Sequence, residues 1–178
     1  MKIACIGWGS LVWRPENLQI QNKWFDDGPL LPIEFTRQSD NGRMTLIIDD
    51  SSSFVRTLWA LMTVEDLPTA IKSLEERENS KKIDSVKTNE KPTNDNTKIS
   101  IVEWLRLKNL DAAIWTNLSY SKKTDNKRPS IEYIIKHLKE LDYNSRKTAE
   151  EYIRKAPKQI DTEFRRKMEL EFGWTYLE

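Results

Sequence analysis

The chain has 178 residues, 29 basic and 28 acidic, and a formal net charge of +1. That length suits one domain with room for an appendage and a real core. So balanced a charge provides no global field for nucleic acid or an anionic membrane. One cysteine, Cys5, excludes an intramolecular disulfide and fits a reducing, cytoplasmic setting, and no apolar run approaches the roughly 18 residues a membrane helix needs.

In chain order, Ile3 to Ile6 reads as a short buried strand, with Cys5 a buried, inert thiol inside it. It ends in Gly7-Trp8-Gly9-Ser10-Leu11, which holds two of only five glycines. Such a pair permits positive φ or the close approach of another group to the main chain. One reading is a tight turn that serves packing; the other is a cradle of free N–H groups and the Ser10 hydroxyl for a small polar or anionic ligand.

Residues 13–32 read as an irregular connection. Leu31 to Phe35 and Arg43 to Ile48 read as strands joined by the loop 38–42, and Phe54 to Met62 as a single central strand. A helix then follows, with Asp66 as N-cap and Pro68 in its first turn, running to about Glu78. Residues 79–98 are polar and read as a flexible insertion. Ile99 to Leu107 and Ala112 to Leu118 return to strand character.

Three helices complete the chain. The first opens at Pro129-Ser130 with the stripe Ile131, Ile134, Ile135, Leu138, Leu141, which leaves His137 off the stripe and exposed. Ser145 caps the second through Lys155, and Asp161 or Thr162 the third, with Gly173 as its C′ residue. Arg165-Arg166-Lys167 stand among glutamates and read as a solvated face. The seven tryptophans read mainly as core or pocket wall.

The element order lacks the regular alternation of a doubly wound sheet. It predicts an α+β fold, a mixed or antiparallel sheet or small barrel flanked by helices. Residues 1–144 form the main domain and residues 145–178 a helical extension packed on it.

Chemistry is narrowed by elimination. With one histidine and one buried cysteine, a Ser-His-Asp triad, a Cys-His pair and a histidine-based zinc site are excluded, so acid–base work falls to a carboxylate, lysine or tyrosine. Dinucleotide binding is set aside because Val12 stands where a third glycine is required. On the helix 67–78, Leu67, Ala70, Ile71 and Leu74 share one face at about 100° per residue, and Glu78 falls roughly 20° from Leu67. A carboxylate on an apolar stripe needs a partner, and burial raises a carboxyl pKa toward the range a general acid or base uses. The plain alternative is that the helix ends there and Glu78 turns out to solvent.

Gly7-Trp8-Gly9-Ser10-Leu11 resembles the Tyr-Gly-Ser-Leu/Asn loop that opens the γ-glutamylcyclotransferases, including the glutathione-degrading ChaC-type enzymes. Leu74-Glu75-Glu76-Arg77-Glu78 resembles their Leu-x-x-x-Glu helix ending. Phe35-Thr36-Arg37-Gln38-Ser39 with Asp40-Asn41-Gly42-Arg43 resembles their Phe-x-Arg-x-Ser segment and turn. The resemblance covers Met1 to Leu118, with Ile131 to Leu141 as the following helix.

It implies a small mixed β-barrel and an enzyme that releases 5-oxoproline from a γ-glutamyl peptide or amine. Glu78 is then the acid/base, Trp8, Gly9, Ser10, Leu11 and Arg37 bind substrate, and neither metal nor cofactor is required. Three features depart from the family: Trp8 replaces its tyrosine, residues 79–98 are long, and residues 161–178 have no counterpart. They leave the substrate open. A non-catalytic ligand-binding module, or a protein-interaction module using 79–98 or the C-terminal helices, is the alternative on the same barrel.

Overall fold

A computed structural model describes residues 1–92 and 94–177. The chain divides into two compact units. The first unit contains residues 1–7, 14–31 and 56–118, and the second contains residues 8–13, 32–55 and 119–178. The fold is α+β with two mixed or antiparallel sheets and six α-helices among the described residues.

The first unit is built on a five-stranded sheet in the order β2-β6-β1-β8-β7. Its strands are β1 (Ile3–Gly7), β2 (Ile20–Phe25), β6 (Leu58–Met62), β7 (Ile83–Lys87) and β8 (Ala112–Thr116). β1 pairs antiparallel with β6, placing Cys5 opposite Ala60, and parallel with β8, placing Cys5 opposite Ile114. Every residue of β1 is buried, which explains its unbroken apolar run: a central strand covered on both faces has no polar side to alternate with.

Helices α2 (Leu67–Glu78) and α3 (Asn96–Lys108) pack on β7 and β8. The Asp66 carboxylate caps α2 by accepting the Thr69 N–H at 2.9 Å, with Pro68 in the first turn, as the sequence predicts. Asn79 ends the helix in the left-handed region at φ 47°.

Several elements of this unit differ from the sequence reading. The connection 13–32 contains β2, an edge strand whose middle residues are exposed. The polar stretch 79–98 contains β7, bonded along its length to β8, and the first turn of α3. Ile99 to Leu107 is helix rather than strand. Its buried residues Ile101, Val102, Trp104 and Leu105 follow helical spacing, and Asp95 caps the helix through the Lys98 N–H. The apparent strand 54–62 is interrupted at Thr57 into β5 (Phe54–Arg56) and β6, which belong to different sheets. At the break the Thr57 carbonyl accepts the Gly28 N–H, while its own N–H and hydroxyl both go to the Pro29 carbonyl.

The second sheet has the order β4-β3-β5, with β3 (Leu30–Gln38) and β4 (Met44–Ile48) forming an antiparallel hairpin. The described strands therefore register as two open sheets, and no closed barrel is found among them. The second unit adds the short helix α1 (Ser10–Trp13) and three longer ones, α4 (Ile131–Glu140), α5 (Tyr143–Lys155) and α6 (Glu163–Phe172). α5 packs on β4 and α1, and α4 packs on α5 and α6.

Ser130 and Thr162 are the N-caps of α4 and α6, and Gly173 closes α6 at φ 71°, as predicted. The cap of α5 is Asp142 rather than Ser145, whose hydroxyl instead donates to Asp142. Arg165 is no part of a solvated face. It is buried, and its guanidinium donates to the carbonyls of Ala156, Pro157 and Ile160 and to Glu169. His137 is half-buried rather than exposed, with Nε2 2.7 Å from the Gly42 carbonyl oxygen.

Candidate functional site

The first unit holds Glu78. The buried face of α2 runs through Ala70, Ser73, Leu74 and Arg77, and Glu78 stands at its margin with its side chain only 19% exposed. Arg77, the preceding residue, is 8% exposed and places Nη1 2.5 Å from Glu78 Oε1. The same guanidinium donates from Nε and Nη2 to the Arg14 carbonyl, so its fork is held at both sides. Arg77 thus fixes where the carboxylate points. It also satisfies the rule that a charge withdrawn from water needs a partner.

The fully buried Cys5 reports where that pair lies. Its thiol is pushed far above the ordinary range by burial and then by the negative charge of Glu78, with Arg77 opposing. Cys5 belongs to β1, the strand whose chain continues from Gly7 into Trp8. A protonated thiol locked in a central strand is a poor nucleophile, which leaves Glu78 as the group that could move a proton there.

The second unit holds the loop residues. Trp8 is buried, with its indole N–H donated to the Leu46 carbonyl at 3.3 Å. Gly9 opens a single turn in which its carbonyl accepts the Val12 N–H at 3.0 Å. Ser10 is half-buried and Leu11 is buried. The N–H groups of Ser10 and Leu11 head that turn, where a helix has no carbonyl of its own to receive them.

The Gly9 requirement is one of space. Positive φ occurs among the described glycines at Gly42 and Gly173, whereas a β-carbon on Gly9 would stand 2.6 Å from the Tyr152 hydroxyl oxygen. Tyr152, on α5, is itself buried, makes T-shaped contacts with Trp13 and Phe35, and accepts the Leu46 N–H at 3.4 Å.

Arg37 is half-buried on β3 and donates from Nη1 to the Ser119 carbonyl at 2.8 Å. It lies opposite Thr45, one residue before the Leu46 that anchors Trp8. Within this unit the structure therefore brings the loop and Arg37 to adjacent positions of β4.

Two buried carboxylates of the second unit carried no sequence signal. Glu34 accepts the Thr162 hydroxyl at 2.5 Å and the N–H groups of Phe35 and Phe164; burial raises its pKa and those bonds only partly oppose it. Asp49 is raised by burial, but the bonds from Arg128, the Ser51 N–H and Tyr120 outweigh this and hold it below its ordinary value. Tyr120 is correspondingly pushed up to about 12, first by burial and then by Asp49. Thr162 and Phe164 tie Glu34 to the start of α6, and Arg128 and Tyr120 tie Asp49 to the 119–130 segment, so both carboxylates are read as structural.

Arg77 belongs to the Arg-Glu ending of the helix motif, and its spacing from Ala70, Ser73 and Leu74 places it on the buried face. Nothing local marks Tyr152, which reaches the loop from far along the chain.

Among the described residues no three histidine, cysteine or carboxylate side chains gather as a metal site, and no helix is long and apolar enough to cross a membrane. On the C-terminal helices a groove lies between α4 and α6, floored by Ile131, Ile135 and Leu170 and edged by charges of both signs. Neither a protein-family model, nor a curated protein, nor a solved structure matches the chain.

Proposed function

We propose that the chain is a γ-glutamylcyclotransferase-like enzyme, cytoplasmic, that releases 5-oxoproline from a γ-glutamyl peptide or amine without metal or cofactor. The observation that carries this reading is the placement of Glu78. The Glu78 carboxylate, at the margin of the buried face of α2, is held by Arg77, and its charge helps keep the buried Cys5 protonated in β1, the strand whose chain continues into Trp8-Gly9-Ser10-Leu11. The loop and helix motifs that resemble the family supply the chemistry, and its small barrel belongs to the same proposal.

In this reaction Glu78 takes a proton from the substrate's α-ammonium group. The freed amine attacks the γ-carbonyl carbon, forming the ring C–N bond and placing negative charge on the oxygen. Main-chain N–H groups of Gly9, Ser10 and Leu11 stabilise that charge. Collapse breaks the original γ-amide bond as Glu78 returns its proton to the leaving amine, and the second proton shed by the ring nitrogen completes the ammonium form of that amine. The products are 5-oxoproline and the released peptide or amine, with no water consumed. Trp8 and Arg37 complete the substrate site, Trp8 by anchoring the loop to Leu46.

One observation favours a second reading, a non-catalytic ligand-binding module: the Glu78 carboxylate is already engaged by Arg77. Measuring 5-oxoproline release from glutathione, γ-glutamyl dipeptides and γ-glutamyl amines decides between them. The enzyme reading expects turnover on one substrate class and its loss, by about a hundredfold or more, in Glu78→Gln. Absence of turnover across the panel, or turnover indifferent to Glu78, would leave the binding module.

A further inference from the structure

We propose that Arg43 is the carboxylate-binding residue of the substrate loop and that Tyr152 is the residue that positions it. The inference deepens the function proposed above, on which it rests for the identity of the carboxylate: the α-carboxylate of the γ-glutamyl group. All of its residues lie in the second unit.

Arg43 ends the turn that joins β3 to β4, and that turn is braced from several sides. The Ser39 N–H donates to the Arg43 carbonyl at 2.9 Å, and the Gly42 N–H to Ser39 at 3.1 Å. Gly42 takes the positive φ of 83° that the turn requires, and its carbonyl is held by His137. The Asn41 side-chain oxygen accepts both the Ser39 hydroxyl and Arg43 Nε, the latter at 3.0 Å. The base of the guanidinium is therefore fixed, while its two terminal nitrogens extend beyond it.

Among the described residues no carboxylate forms an ion pair with Arg43. The contrast with the other arginines of this unit that lie against the fold is informative. Arg128 is spent on Asp49, Arg165 on Glu169 and three carbonyls, Arg154 on Glu150 and the Thr175 carbonyl, and Arg37 on the Ser119 carbonyl, while Arg146 rests on Phe172 and Trp174 at the C-terminal end and touches no ring of the loop. Arg43 instead rests on the face of Tyr152, with Cζ 5.3 Å from the ring centre. The hydroxyl end of that ring occupies the space opened by the missing side chain of Gly9. One buried ring thus joins a half-buried guanidinium to the loop of the proposed substrate site.

A guanidinium with a fixed Nε and two parallel terminal donors matches a carboxylate in a two-point bond, and its stacking on an aromatic face lowers the entropy lost on binding. The family resemblance drew attention to Arg37, but the structure commits that residue to the main chain. Arg43 is the better-prepared cation. The same arrangement gives the C-terminal helix α5 a part in the site, through Tyr152.

The test uses γ-glutamylalaninamide, whose one carboxylate is the glutamyl α-carboxylate, and its fully amidated analogue. Binding is followed by calorimetry on the full chain, in the Glu78→Gln background if the wild type turns the probe over. Arg43→Gln should weaken the acid probe roughly tenfold or more, with kcat changed far less than KM, and should leave the amidated analogue unaffected. Arg43→Lys should recover part of the loss, Tyr152→Phe should bind as the wild type, and Tyr152→Leu, which removes the stacking face, should weaken the acid probe.

Equal binding of the acid probe by wild type and Arg43→Gln, equal binding of the two probes by the wild type, or no binding of the acid probe at all overturns the proposal. Should Arg43→Gln fail to fold, the comparison of acid and amide probes on the wild type and on Arg43→Lys still decides it. Turnover that ignores Arg43 would sink this assignment and leave the reaction standing. Binding that needs Arg43 without any 5-oxoproline release would do the reverse.

Discussion

A β-carbon on Gly9 and the hydroxyl of Tyr152 claim one volume: the two would stand 2.6 Å apart. Tyr152 is buried and packs in T-shaped contacts with Trp13 and Phe35, so it cannot swing aside freely. Gly9→Ala is therefore expected to destabilise the fold by on the order of 1–3 kcal/mol, as overpacking does. Combining it with Tyr152→Phe, which removes only the hydroxyl oxygen, should restore a large part of that loss. Urea denaturation of the two single variants and the double variant measures the coupling. Additive losses would show that Gly9 is needed for another reason.

Arg165 gives a second test, on the C-terminal helices. Its guanidinium serves the carbonyls of Ala156, Pro157 and Ile160, which follow α5, from the first turn of α6. Arg165→Met keeps much of the volume but leaves those acceptors without their donor, at a cost of roughly 3 kcal/mol. Arg166, its neighbour, pairs with Asp161 at the surface, and Arg166→Ala should change stability by less than about 1 kcal/mol. Equal melting temperatures for the two variants would contradict the burial of Arg165.

What the sequence conveys and what it hides follow from the range of each interaction. Local signals were legible: Asp66 with Pro68, Ser130, Thr162 and Gly173 marked helix ends by bonds spanning a few residues. Periodicity sets Glu78 within the stripe of Leu67 and Ile71, whereas the buried face runs through Ala70, Ser73, Leu74 and Arg77 and leaves Glu78 at its margin. The stretch Ile99 to Leu107 has the β-branched residues of a strand, while Asp95, the cap that decides for helix, lies inside a polar stretch with the composition of a loop. β2 and β7 lack an alternating apolar pattern, since three consecutive exposed polar residues interrupt β2 and β7 has only Ile83 and Val86, and both are fixed by hydrogen bonds to distant partners. Tyr152 at Gly9 and Thr162 at Glu34 are contacts that no local pattern encodes.

Glu34 makes a prediction about mild acid. Burial raises its folded pKa above the ordinary 4.5, so between these two values the folded chain binds more protons than the unfolded one. Stability contributed by the protonated form is then lost as pH rises through that window. Glu34→Gln should flatten this part of the stability profile, measured by urea unfolding from pH 4 upward. An unchanged slope in Glu34→Gln would assign the titration to another group.

Asp49 predicts the opposite slope further down. Arg128, the Ser51 N–H and Tyr120 overcome the effect of burial and hold its folded pKa below the ordinary 3.8. Its contribution is complete above that value and disappears as pH falls through the folded pKa. Asp49→Asn should lower stability at neutral pH while removing the acid-side loss that Asp49 causes in the wild type. The Arg128→Gln variant should share the neutral-pH loss, because it leaves Asp49 buried without its cation, and the double variant should lose less than the sum.

Cys5 provides the most direct probe of the Glu78 region, since it requires neither substrate nor activity. The thiol is fully buried in β1, and burial first, then Glu78, keeps it protonated. In the native chain it should react with a thiol reagent only at the rate at which the fold opens, so its labelling half-life should lengthen or shorten with global stability. Glu78→Gln removes the charge that opposes thiolate formation but not the burial. It should therefore leave native-state labelling slow unless the unpaired Arg77 loosens the end of α2. Labelling rates for wild type, Glu78→Gln and Arg77→Met, read beside their unfolding free energies, separate these effects. Fast labelling of the wild type under native conditions would show that β1 is not the sealed central strand that this account of Glu78 requires.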